Sequence, residues 1–278
     1  MTISVIIPAY KAALTIERAL SSVASQTLKP KQIIVVDDGS DDDTLKVAKS
    51  FTEHIQGIEL IILSQKNLGA GAARNRAINV ATGDWLAFLD ADDEWLPKKL
   101  SISMDAIFKH NLILVSHNYF RINKKNKKSI FCSTRFEAAT NPYRGLYRKG
   151  FIATSSVVVR RDAILNVGGF DETLETAQDF DLWLKILKQK EAHFRVEPDF
   201  LMNYFVTPGS ITCNTSRRLN CTLRIAKKYA PSRKDFNHRI FNIHYEAIHS
   251  TLAKGQILQA LSFFLKLPFH LSWLTHKY

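Results

Sequence analysis

The stretch GDWLAFLDADDEWLP (residues 83–97) decides the fold. Trp85–Leu89 is an unbroken apolar run, and Asp90, Asp92, Asp93 and Glu94 follow it at once. A short run that is apolar on both faces suits a strand inside a parallel sheet rather than an alternating surface strand. Like charges crowded at the end of such a strand repel one another. The turn is therefore either an open surface loop or a place for a cation.

Upstream runs repeat the pattern. Ser4–Ile7, Gln32–Val36 and Leu60–Leu63 are apolar runs of the same kind. Between them, Ala13, Ile16, Leu20 and Val23 fall on one helical face. Ser40 and Asp43 have the spacing of a capping box for a second helix, and the segment 69–81 forms a third, stopped by Gly83. This βαβαβαβ order predicts a Rossmann-like, mostly parallel central sheet flanked by helices. In such sheets ligands bind beyond the carboxyl ends of the strands. Pro8-Ala9-Tyr10, Asp37-Asp38 and Asp90-Ala91-Asp92 should then gather along one edge.

The middle of the chain is less regular. Segment 123–128 reads as a basic hairpin tip, 155–160 (SSVVVR) as a strand, 168–171 (GGFD) as a turn and 179–190 as a helix. After Pro208-Gly209 the character changes. Segments 216–229 and 236–253 read as helices, and 255–274 is apolar but broken by Lys266 and Pro268. It is too interrupted for a membrane span. It reads either as an interfacial helix or as one packed on the main body. The expected division is a catalytic domain over 1–208 and a basic helical C-terminal appendage over 209–278.

Net charge is +12 across 278 residues, but residues 1–100 carry 11 basic and 13 acidic side chains, so the excess lies downstream. A neutral head with a basic tail fits an anionic partner on the tail side. Anionic membrane is the expected one. Nucleic acid is not expected, because the tail lacks the signatures of nucleic-acid-binding modules. The three cysteines lack paired spacing, which excludes a disulfide scaffold. No secretory leader is legible at the start, so a cytoplasmic setting is expected, with association at the inner face of the cytoplasmic membrane.

Asp90-x-Asp92 after a buried strand is a hard-oxygen site. One or two carboxylates with phosphates and water suffice for Mg²⁺, and Mn²⁺ takes the same ligands. Asp93 and Glu94 are expected in part to cap the helix beginning near Pro97. The histidines show no zinc pattern.

Taken together, SVIIPAYK, IIVVDDGSDDDT, NLGAGAARNRAI, GDWLAFLDADDEWLP, GGFDE and QDFDLWLK, in this order, resemble the family 2 glycosyltransferases with the GT-A fold. The resemblance spans roughly residues 2–205. It implies a surface-polysaccharide glycosyltransferase, moving a hexosyl or N-acetylhexosaminyl group from a UDP-sugar to a glycan or lipid-linked acceptor. Asp92 matches the ligand of a Mn²⁺ or Mg²⁺ ion on the donor diphosphate, and Asp90, beside Ala91, matches a position near the ribose. Pro8, Ala9 and Tyr10 match the nucleotide-lining turn, and Asp38 the carboxylate that reads the uracil. Gly71 and Arg74 lie in the segment near the nucleotide, with a salt bridge to the carboxylates as the other role open to Arg74. Asp179 matches the general base, and N-capping is its competing role.

The chain departs from the family pattern twice. Gln178 stands where a glutamate is usual, and Thr207 where a histidine often reaches the metal. A base and a metal on opposite sides of the anomeric carbon imply inversion. The alternative is a catalytically silent GT-A-like binding protein, against which the presence of both Asp92 and Asp179 argues.

Overall fold

The computed structural model describes residues 1–139, 141–189, 192–206 and 214–272. Strands β1 (Ile3–Ala9), β2 (Gln32–Asp37), β3 (Glu59–Ser64) and β4 (Trp85–Phe88) alternate with helices α1 (Ile16–Ala24), α2 (Thr44–Ser50) and α3 (Ala70–Val80). The strands pair in parallel, in the order β3-β2-β1-β4. Alternate residues feed two separate cores, as the two-residue period of a strand requires. Ile6, Ile34, Val36, Leu86 and Phe88 enter one, and Val5, Ile7, Ile33, Val35 and Ala87 enter the other. This is the physical basis of the unbroken apolar runs: both faces are covered.

Beyond β4 the sheet continues through β8 (Val158–Arg160), β6 (Leu114–Ile122), β9 (Phe194–Phe205) and β5 (Glu94–Trp95), while β7 (Lys127–Ile130) makes a hairpin with β6. β8 runs antiparallel to β4, with Ala87 opposite Val158. The segment entering β8 is thereby brought beside the exit of β4, and Phe88 N donates to Val157 O at 3.2 Å. β9 runs parallel to β6 and antiparallel to β5, pairing Asn203 with Glu94. The exits of β1, β2, β4, β6 and β9 therefore share one edge.

Helices α4 (Lys99–His110), α5 (Cys132–Glu137), α6 (Pro142–Arg148), α7 (Arg161–Leu165) and α8 (Gln178–Leu187) complete the body. Three helices follow: α9 (Thr215–Tyr229), α10 (Arg233–Leu252) and α11 (Ile257–Ser272). They have their own apolar cluster around Leu219, Leu223, Phe236 and Ile240. Yet α9 also sends Cys221, Ile225 and Tyr229 into the main core. The expected boundary at residues 208/209, and Thr207 with it, fall outside the described residues.

Three local expectations are corrected. Segment 155–160 is not strand throughout: Thr154–Ser156 is a 3-10 turn and β8 starts at Val158. Ser40 and Asp43 form no capping box; Ser40 Oγ accepts from Lys11 N at 2.9 Å, and Asp42 accepts from Thr44 N at 3.1 Å instead. Neither Asp93 nor Glu94 caps α4, because β5 pairing carries both toward β9. Asp93 accepts from Phe205 N at 3.1 Å and Glu94 from Asn203 at 2.7 Å.

Candidate active site

The shared edge collects the acidic turns. After β1, Tyr10 is half exposed and Lys11 takes a left-handed backbone, φ 51°. Lys11 then pairs with Asp41 at 2.9 Å, so the 10–13 and 40–44 loops are latched together. Pro8 is partly buried and Ala9 is buried at the end of β1, with Ala9 O accepting from Asp38 N at 2.8 Å.

Asp38 is buried and its two carboxylate oxygens are already engaged. Oδ1 accepts from Gln65 Nε2 at 2.8 Å and Leu68 N at 2.9 Å, and Oδ2 accepts from Gly69 N at 2.8 Å. It anchors the loop that starts α3. Gly69 has φ 91° there, a conformation that favours glycine.

Along α3, a Cβ on Gly71 would come within 3.1 Å of the Gln178 side chain. Glycine lets α3 approach the start of α8. Gln178, the departure from the family's glutamate, donates to Leu174 O at 2.5 Å. Arg74 reaches the β4 turn and pairs with Asp90 at 2.6 Å, its guanidinium 5.4 Å from the Phe170 ring centre. The salt-bridge role left open for Arg74 is therefore present.

In the β4 turn, Asp90 and Asp92 are partly exposed and Ala91 is buried. Arg18 donates to Asp92 O at 2.5 Å and lies over the Phe205 ring at 3.8 Å. Asp93 is wholly buried. Burial, and then the charges of Asp90 and Asp92, hold its carboxyl well above the usual carboxylate range. This is a site of concentrated negative potential, which answers the question raised by the run of acids: the turn is not an open loop. Asp92 and the Arg74-paired Asp90, both partly exposed beside a buried third carboxyl, are hard-oxygen donors of the kind a divalent cation takes along with phosphate and water. Among the described residues no group of three or more His, Cys, Asp or Glu forms a closed metal cage.

Sequence reasoning missed the 3-10 turn Thr154–Ser156. Thr154 Oγ1 donates to Asp179 Oδ2 at 2.7 Å. Its neighbour Ser155 donates to Asp93 Oδ2 at 2.6 Å and accepts from Asp90 N at 3.1 Å. One turn thus holds the candidate base and the acidic turn together. The signal was present as three successive hydroxyl or small polar residues ahead of VVVR. Asp179 lies in the first turn of α8, partly buried, and its Oδ1 accepts from Phe180 N at 2.8 Å. Two residues earlier Ala177 takes a left-handed backbone, φ 59°. Strain of this kind concentrates at functional sites.

A parallel sheet whose exits carry these acidic turns, facing a carboxylate at a helix start, is the architecture of GT-A glycosyltransferases. Solved structures of that class share the fold. S. aureus TarS 1-349 superposes with a TM-score of 0.70 at 19% identity, over 99% of this chain and 83% of that one. Mannosyltransferase PcManGT from Pyrobaculum calidifontis, solved with GDP-Man and Mn²⁺, gives 0.67 at 20% identity, over 96% and 75%.

The model of the family described as Glycosyl transferase family 2 matches residues 4–168. WfgD of Escherichia coli, named as a UDP-Glc:alpha-D-GlcNAc-diphosphoundecaprenol beta-1,3-glucosyltransferase, is 31% identical over 78% of this chain and 82% of its own length. AmsB of Erwinia amylovora, named for amylovoran biosynthesis, is 32% identical over 66% and 64%. The chain belongs to the family 2 glycosyltransferases and is a glycosyltransferase with the GT-A fold.

Proposed function

We propose that this enzyme transfers a sugar, with inversion, from a UDP-sugar to a hydroxyl of a glycan or lipid-linked acceptor in the assembly of a bacterial surface polysaccharide. The observation that carries the reading is the Thr154–Ser155 bridge. It supports the reading by joining a partly exposed carboxylate, Asp179, to the acidic turn at the end of β4.

In this reading Asp179 accepts the acceptor hydroxyl proton as the oxygen attacks the anomeric carbon, and the nucleoside diphosphate departs. A carboxylate in hydrogen-bond reach contributes about 10²–10⁴-fold to such a step. Thr154 on Oδ2 and Phe180 N on Oδ1 hold the carboxylate in place, and a lone pair beyond those two bonds takes the proton. Asp92, with Asp90 beside it, would hold Mn²⁺ or Mg²⁺, which as a Lewis acid stabilises charge on the departing phosphate. Pro8, Ala9 and Tyr10 line the nucleotide, with Arg74 fixing Asp90. Asp38 would read the base only through lone pairs left over from the loop it anchors. The donor and acceptor classes are supported by relatives such as WfgD, whose name states a UDP-glucose donor and a diphosphoundecaprenol-linked acceptor. The setting is the inner face of the cytoplasmic membrane, contacted through the basic C-terminal region.

The test is UDP release across a panel of UDP-sugars with Mn²⁺, with and without excess EDTA. One or a few donors should support release, and EDTA should abolish it. Asp179→Asn should bind that donor as the parent does while transfer collapses. Full turnover in EDTA would remove the metal, and near-normal transfer by Asp179→Asn would remove the base.

A further inference from the structure

Helix α11 presents an apolar face that is exposed among the described residues. Its inner side is buried at Ala260, Phe263 and His270, and Phe263 joins the apolar cluster of α9 and α10. His244 of α10 fixes its orientation, with Nδ1 on Phe263 O at 2.8 Å and Nε2 on His270 Nδ1 at 2.7 Å. The carbonyl can only accept, so His244 Nδ1 carries the proton and His270 donates to His244 Nε2. With that side pinned inward, the outer side is set by geometry. Leu258 is 84% exposed, Leu265 68%, Phe269 65%, Phe264 59% and Leu261 52%. Their spacing repeats every three to four residues, so they form one continuous stripe along the helix. Scattered exposed apolar side chains are ordinary, but a contiguous patch of large ones marks a contact surface.

Charge selects the occupant. Residues 247–278 contain no aspartate or glutamate, while Lys254, Lys266 and Lys277 are basic. Lys266 is exposed on α11 itself, and Arg233 donates to Leu271 O at 2.7 Å near the helix end. A second copy meeting this face symmetrically would bring the same cations together with no acid to offset them. An anionic lipid surface supplies both an apolar layer for the stripe and negative charge for the lysines. No helix among the described residues is long and apolar enough to cross a membrane.

We propose that α11 lies in the headgroup–acyl boundary of an anionic phospholipid membrane. Leu258, Leu261, Phe264, Leu265 and Phe269 insert, and Lys266 stays at headgroup level. This deepens the membrane contact in the reading above and rests on that reading for its setting. The test needs neither donor nor acceptor, so its outcome is independent of the transfer assay.

The full chain is sedimented with vesicles of phosphatidylethanolamine and phosphatidylglycerol, and separately with phosphatidylcholine vesicles. Two variants are compared, Leu258→Gln/Leu261→Gln/Leu265→Gln and Phe264→Gln/Phe269→Gln. The side chains replaced are exposed, so circular dichroism and melting should stay unchanged. The expected result is binding that favours the anionic vesicles, weakens with salt and falls at least about tenfold in either variant. If one variant misfolds, the other decides. Equal binding by a folded variant and the parent would overturn the proposal, as would no vesicle binding by the parent. A parent dimer in light scattering that the substitutions dissolve would also overturn it, since the face would then belong to a second copy.

Discussion

The first and last parts of the chain handle charge in opposite ways. At the sheet edge, acids are crowded without enough internal cations to match them. Arg74 takes Asp90, Lys11 takes Asp41, and Asp93 is buried among like charges. In the C-terminal helices the excess is basic, and part of it is matched within the protein. Arg217 pairs with Glu175 at 2.6 Å, Lys228 with Asp181 at 2.9 Å, and Arg224 donates to Thr173 Oγ1 at 3.1 Å. Asp235, fully buried, takes both Arg144 and Arg148 of α6. The basic face of α9 is thus a clamp on segment 171–181, which leads into the candidate base. Arg239 of α10 extends the clamp, its guanidinium 4.6 Å from the ring centre of Phe180, next to Asp179. The positive excess downstream of residue 100 already counts the acids of segment 171–181, so this clamp positions charges and leaves the excess intact. What reaches the surface differs: partly exposed carboxylates at the edge, an apolar stripe on α11.

The largest effects should come from the edge. Asp92→Ala should lower transfer by about a thousandfold or more if the ion it holds supplies several kcal/mol of charge stabilisation. Donor binding measured by calorimetry should weaken with it. Asp179→Asn should lower kcat by about 10²–10⁴-fold with donor affinity intact. Equal losses of affinity in both variants would erase the distinction between an anion-handling turn and a base.

The clamp predicts the next effect. Lys228→Met leaves Asp181 buried with no cation, and its Oδ2 already has no hydrogen-bond partner among the described residues. Lys228 is itself half exposed, so the cost should be about 2 kcal/mol by urea denaturation rather than the 3–5 typical of a fully buried pair. Asp181→Asn in the same chain should recover part of it, and a double-mutant cycle reads the coupling. If kcat falls in Lys228→Met and returns with Lys228→Arg, the C-terminal helices hold the base in place. If activity and stability both ignore the change, the two regions are independent.

Acid separates the regions differently. Burial, with Lys99 nearby, lowers His117 to about 3. Burial also lowers His244, and lowers His270 to about 4. Each folded value lies below the unfolded value near 6.5, so the unfolded chain binds more protons below that pH. Stability is full above about pH 6.5 and falls as pH drops toward the folded values. His117 alone should remove about 2 kcal/mol between pH 7 and 5. His117→Asn should flatten the pH slope of the main body, while His244→Asn should flatten only the loss of α10–α11 helicity. A single acid transition, altered equally by both, would show one cooperative unit.

Much of this was legible because periodicity carries it. The runs ending in Ala9, Asp37 and Phe88 are strands buried on both faces, and the run ending in Ser64 is a half-buried edge strand of the same parallel sheet. The acidic turns followed from that edge rule. What was not legible depended on contacts distant in sequence. Ser40 and Asp43 have capping-box spacing, but Lys11 N, 29 residues from Ser40, takes the hydroxyl. Asp93 looked like a cap, but strand pairing with β9 moved it inward. The Thr154–Ser156 turn has no period at all; its meaning comes from β8 running back along β4. The matching of α9 to segment 171–181 is likewise invisible to a charge count.

The smallest effect tests whether the strained joint before the base matters. Ala177 at φ 59° costs about 1–2 kcal/mol relative to a right-handed residue. Ala177→Gly removes that strain but adds freedom to the unfolded chain, about 0.5–1 kcal/mol, so net stability should change by less than about 1 kcal/mol. Activity need not follow stability. The left-handed turn aims Gln178 at Leu174 O and Asp179 at Thr154, and glycine would widen the range of both. A variant at least as stable as the parent, with kcat lowered a few-fold and donor affinity unchanged, would assign the strain to aiming the base. If kcat and stability both stay at the parent values, the conformation is only the way α8 begins.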